Sequence, residues 1–203
     1  MKKGHYFSGI FIAVFVSIHL LNHLISLKGA AAHIQFMEQL RFYYRNGFIE
    51  SLLLGAVVFQ IVSGVRLFRS KFKTASSVWE KIQLLTGLYL ALFFTFHLTA
   101  IIAGRFLLQL DTNFYFGAAG INTFPFSLFF VPYYGLAILA FFGHIAALHS
   151  QKMHSTILYL TPQHQAILLI GIGAWVTILI ISGMTNNFNG IDIPEAYGVL
   201  VGK

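Results

Sequence analysis

The segment W-E-K-I-Q-L-L-T-G-L-Y-L-A-L-F-F-T-F-H-L-T-A-I-I-A-G-R, Trp79 to Arg105, decides how the chain folds: it is one long apolar run with a single histidine, His97, deep inside it. About 20 apolar residues, each rising ~1.5 Å along a helix, cross a bilayer core. The stretch predicts a membrane-spanning helix. The start of the chain repeats it. S-G-I-F-I-A-V-F-V-S-I-H-L (Ser8 to Leu20) and T-G-L-Y-L-A-L-F-F-T-F-H-L (Thr86 to Leu98) are identical at five of thirteen positions and differ conservatively elsewhere. Each copy reaches a histidine, His19 or His97, ten residues after a glycine.

The rest of the chain has the same character. Of its 203 residues 57% are hydrophobic and 9% charged, and 22 are phenylalanine, whereas a soluble domain carries about a quarter charged residues. This composition excludes an ordinary soluble surface. Five stretches are long enough to span, roughly 6–27, 48–68, 81–104, 126–149 and 165–184. The expected fold is all-α, a single domain over 1–203 forming an integral membrane bundle of five transmembrane helices in the lipid bilayer. MKKGHYFSGI resembles a signal-peptide start only superficially, since the apolar run to Leu27 is too long and no convincing cleavage site follows; it is expected to stay in the mature protein. The absence of cysteine removes disulfides, thiolate metal sites and cysteine-held iron-sulfur clusters from this chain.

The net charge of +7 lies in connecting segments rather than in a patch with interleaved base-stacking residues. It therefore argues for membrane orientation and not for nucleic acid as a partner. Lys2 and Lys3 precede the first span, Arg66, Arg69, Lys71, Lys73 and Lys81 crowd the link between the second and third, and Lys152 follows the fourth. The positive-inside rule puts these in the cytoplasm and gives an N-in, C-out orientation. The segment 28–47 has helical apolar spacing and is expected to lie as a short helix on the opposite surface. The aromatic loop 113–126 is expected at the headgroup level, and the tail after Asn186 as irregular chain. No carboxylate falls inside a span, because Glu50 and Glu80 sit at helix ends, so a transmembrane relay of acidic residues has no support. Gly9, Ala13 and Ser17, like Gly87, Ala91 and Thr95, line a small-residue helix face suited to close packing.

Nine histidines fall into groups by depth. His5, His33, His154 and His164 lie in loops or at helix ends, where solvated or interfacial roles are expected. His23 and His149 mark span ends and read as interfacial partners. His19, His97 and His144 fall inside the hydrocarbon, where an unsatisfied imidazole is costly and such residues usually face a functional interior. Counted from the cytoplasmic starts of their helices, His19 lies about 20 Å and His97 about 22 Å along. They share a level, while His144, on a helix running the other way, belongs near the cytoplasmic surface. Two facing imidazoles at one depth suit the axial positions of a six-coordinate haem, which favours electron transfer over oxygen chemistry. The alternative is an interhelical hydrogen bond from each histidine. His19 and His23 have the i, i+4 spacing of a two-histidine metal site but lack the adjacent glutamate of zinc hydrolases.

W-x-x-x-Q-L-L-T-G, with His97 ten residues beyond Gly87, together with S-G-I-F-I-A-V-F-V-S-I-H, resembles the membrane cytochrome b subunit of the succinate dehydrogenase and fumarate reductase family, in its five-helix, single-chain form. The resemblance covers most of the chain. It implies haem b held by His19 and His97, a quinone as substrate, and iron-sulfur and flavoprotein subunits as partners at the cytoplasmic face of a bacterial inner membrane. The chain would then be an electron-transfer and anchor subunit, not a stand-alone enzyme. By the same resemblance His144 matches a ligand of a second haem, but Ser63 stands where the helix-two histidine of that site is expected, in F-Q-I-V-S-G-V-R-L-F. One haem is therefore the expectation. Arg66 is a candidate partner for a propionate or quinone, although snorkelling to the interface is its commoner use. Two other readings stay open: a haem-free structural anchor, and a small-molecule transporter or channel. The repeated helices run in the same direction, which weakens the transporter reading.

Overall fold

The computed structural model describes residues 2–203, and among them there is no β-strand. The helices are α1 (Lys2–Ile25), α2 (Ala30–Tyr44), α3 (Gly47–Lys71), α4 (Val78–Phe106), α5 (Phe114–Asn122), α6 (Ser127–Lys152) and α7 (Pro162–Met184), followed by a 3-10 turn over Glu195–Val201. Five of them, α1, α3, α4, α6 and α7, are long and apolar enough to cross a membrane. They coincide with the five expected spans to within a few residues at each end. Local chemistry sets several of the starts. Ser77 and Glu80 form a reciprocal capping box on α4, with Ser77 Oγ accepting from Glu80 N at 3.1 Å and Glu80 Oε2 accepting from Ser77 N at 3.1 Å. Asn46 caps α3, and Thr161 caps α7 just ahead of Pro162 in the first turn, where the missing proline N–H costs nothing.

The spans form a closed ring in which α1 packs on α3, α3 on α4, α4 on α6, α6 on α7 and α7 on α1. Helices α1 and α4 thus face each other across the ring. Small residues allow the tightest seams: α6 buries Gly135, Ala137, Ala140, Gly143, Ala146 and Ala147 between its two neighbours, as expected where lipid offers no hydrophobic drive and packing itself must hold helices together. Large apolar side chains point outward instead, among them Phe7, Phe96 and Trp175, each more than 60% exposed. A contiguous apolar exterior of this kind fits a lipid environment and a multi-pass membrane protein.

One end of the ring is capped and the other is bare. The links 72–77 and 153–161 close the bare end. The capped end collects α2, α5 and the tail. Its core is Arg41, buried at 7% exposure and bound to Glu38 at 2.6 Å and Asp111 at 2.7 Å. Arg45 donates to Thr112 Oγ1 at 3.1 Å, Tyr197 donates to the Asp111 carbonyl at 3.0 Å, and Arg105 pairs with Glu50. Two expectations are corrected here. The 113–126 stretch is not all loop, because Asn113 caps a helix, Phe114–Asn122, whose Phe114, Ala118 and Ala119 are fully buried. The tail is not irregular throughout, since Tyr197 and Val201 are buried against Ala119. The 28–47 segment is the expected short helix, but it buries His33, Met37 and Arg41 and is part of the fold. Ser17 and Thr95 also depart from the packing face expected of them: both are exposed and bond their hydroxyls to their own helix, at Ala13 O and Ala91 O, each at 2.8 Å.

Candidate functional site

His19 on α1 and His97 on α4 project into the ring and meet, their ring centroids 6.4 Å apart. The repeat builds both positions in the same way. Phe15 stacks on His19 at 6.0 Å and 11°, and Phe93 stacks on His97 at 5.1 Å and 13°. The phenylalanine stands four residues before the histidine in each copy, one helical turn away, so it fixes the imidazole's tilt. Tyr134 of α6 adds an edge contact to His97 at 6.5 Å.

From this pair a row of imidazoles leads to the capped end. His23 Nε2 lies 3.2 Å from His19 Nε2, and the His23 ring is 5.1 Å from that of His33. His33 Nε2 accepts from Asn22 Nδ2 at 3.3 Å, and its ring packs on Phe114 at 5.2 Å. His33, expected in a solvated or interfacial role, is 2% exposed. Burial, reinforced by the charges of His19 and Arg41, pulls its pKa down to about 4, so the ring is neutral near pH 7. Depth counting missed His33 because its position depends on α2 folding back over the bundle. The signal that was available is its place on the apolar face of that helix.

His144 lies at the other level. Its Nδ1 is 3.0 Å from the Gln83 carbonyl and 3.3 Å from Thr86 Oγ1, and it packs over Gly87. The first copy contains the counterpart. Gln60 Nε2 donates to the His5 carbonyl at 2.6 Å and Ser8 Oγ at 3.2 Å, directly over Gly9. Position by position, His5, Ser8 and Gly9 correspond to Gln83, Thr86 and Gly87. In hydrogen bonding the counterpart of His144 in the first copy is therefore Gln60. Ser63 is buried and lies 2.7 Å from His5 Nδ1. Arg66 is exposed.

The chemistry open to the His19/His97 pair is narrow. Among the described residues no group of three or more His, Asp or Glu side chains is arranged to hold a bare metal ion. A metal held axially by two imidazoles needs less. Two bonds of about 2 Å, with each ring centre about 1 Å behind its nitrogen, put the centroids roughly 6 Å apart. The observed 6.4 Å fits that arrangement. His19 Nε2 now faces His23, and one lone pair cannot serve both a hydrogen bond and a metal, so ligation would release His23. The chain matches no protein-family model, no curated protein and no solved structure.

Proposed function

We propose that the protein is a membrane cytochrome b that holds one b-type haem between His19 and His97 and passes electrons between a quinone and partner redox subunits. The observation that carries this reading is the meeting of two equivalent histidines across the ring at 6.4 Å. His19 and His97 would hold the haem, which would supply single-electron transfer rather than oxygen chemistry. The chain's own residues do the rest: Phe15 and Phe93 hold the two imidazoles, and the apolar ring keeps water from them. His144, already engaged by Gln83 and Thr86 and matched by Gln60 rather than by a second histidine, argues for one haem and not two.

The resemblance to the succinate dehydrogenase and fumarate reductase anchors supplies the partners in this reading: an iron-sulfur subunit and a flavoprotein at the cytoplasmic face of a bacterial inner membrane. The bare end, with Arg66, Arg69, Lys71, Lys73 and Lys81, is the side that the positive-inside rule assigns to the cytoplasm, giving N-in and C-out. Protein purified from haem-supplied cells is expected to show reduced b-type absorbance bands at about one haem per chain, lost in His19→Ala and in His97→Ala. A colourless, stable wild-type preparation would overturn the reading and leave a structural anchor, for which the His19–His23 hydrogen bond is the favouring observation.

A further inference from the structure

Among the described residues four buried side-chain atoms have no hydrogen-bond partner: Asn22 Oδ1, His23 Nδ1, His33 Nδ1 and Arg41 Nε. All four belong to the last turns of α1 or to α2, from the turn beyond His19 into the capped end. Asn22, His33 and Arg41 are 4%, 2% and 7% exposed. An unpaired buried polar atom has given up its hydrogen bonds to water and received none in return. Four in one region are a demand for a polar partner from outside the chain.

The protonation of the groups narrows what that partner is. His33 Nε2 faces an amide nitrogen, which can only donate, so Nε2 accepts and the unpaired Nδ1 carries the proton. Arg41 Nε is a donor in every state, on a permanent cation. His33 Nδ1 and Arg41 Nε are therefore two N–H donors without an acceptor, and a carboxylate is the acceptor that gains most from them, while Asn22 Oδ1 is itself an acceptor and calls for a donor. Position points the same way. The imidazoles step from His97 to His19 at 6.4 Å, to His23 at 4.6 Å and to His33 at 5.1 Å. The donors thus stand on the polar side of the histidine pair, whereas the opposite direction along α1 and α4 opens on Phe15 and Phe93.

We propose that His33 and Arg41, with His23 beside them, bind the two propionate carboxylates of the haem held by His19 and His97. This assignment rests on the haem reading above. It gives α2, a helix that spans nothing, a binding role, and it gives the cofactor a preferred orientation with its carboxylates toward the cap. The alternative occupant is ordered water, which satisfies the same atoms without recognising the haem's edge.

The test compares protohaem with its dimethyl ester, which keeps the iron and its axial chemistry but has no carboxylates. Purified apoprotein is titrated with each, and occupancy is read from the low-spin absorbance spectrum. Wild type is expected to bind protohaem at least about tenfold more tightly than the ester, the size of one charge-assisted hydrogen bond. His33→Leu combined with Arg41→Gln should bind both forms alike with an unchanged low-spin spectrum. A wild-type ratio near one, or a double variant that keeps the wild-type ratio, would overturn the assignment. If the double variant does not fold, the wild-type ratio alone decides. Failure of wild type to bind either form would instead strike the haem reading itself.

Discussion

At the scale of the residue, the same task is done by different side chains in the two copies. Gln60 and His144 each reach from a neighbouring helix over a glycine to a backbone carbonyl and a hydroxyl. A glutamine amide can therefore replace the imidazole at 144. His144→Gln is expected to stay within about 1 kcal/mol of wild type in detergent melting, with its haem-to-protein ratio unchanged, whereas His144→Leu forfeits a hydrogen bond worth about 1 kcal/mol. A halved haem content in His144→Gln would mean that the inner histidine is a ligand. Sequence placed His19 and His97 at one depth because helical rise is constant, and their rings do meet. It did not reveal Gln60 as the counterpart of His144, since that match lies in hydrogen bonds across helices. It also put His33 in solvent or at the interface, because a histidine in a link looks exposed until the link is seen to fold inward.

Between elements, approach is limited by side-chain volume, and one glycine sits at the limit. A Cβ on Gly183 of α7 would strike Ser26 Oγ and come within 2.8 Å of Leu27 N and 3.0 Å of the Ser26 carbonyl carbon. Two of those three atoms are backbone and cannot swing away, so α7 would have to back off from the α1–α2 corner. Gly183→Ala should cost about 1–3 kcal/mol, measured as a lowered midpoint of thermal unfolding in detergent; an unchanged midpoint would show that the corner yields. Spanning elements were legible from hydropathy alone, since length and apolarity are all a bilayer asks of them. The short helices of the cap were less so. The 113–126 stretch has no long periodic run, and its helix exists because Asn113 caps it and Phe114 finds a pocket beside Ile138, Ile180 and Met184.

For the whole molecule the main asymmetry is between its ends. Bare links and basic residues close one, and the Arg41–Asp111 cluster with the buried tail seals the other. With the basic end in the cytoplasm, a reporter fused after Lys203 that works only outside the cytoplasm is expected to be active, and one needing the cytoplasm silent; the reverse result would invert the topology. The repeat sets a further condition on how the chain can change. Helices α1 and α4 run in the same direction and pack on α3 and α6 respectively, an arrangement that a rotation about an axis along the bundle would relate. Equivalent residues can touch one another only close to such an axis, and His19 and His97 do touch. Gln60 on α3 and His144 on α6 do the same task away from it with different side chains. A pair on the axis forms one joint from two halves, so losing either half disables both, whereas an off-axis position serves only its own copy.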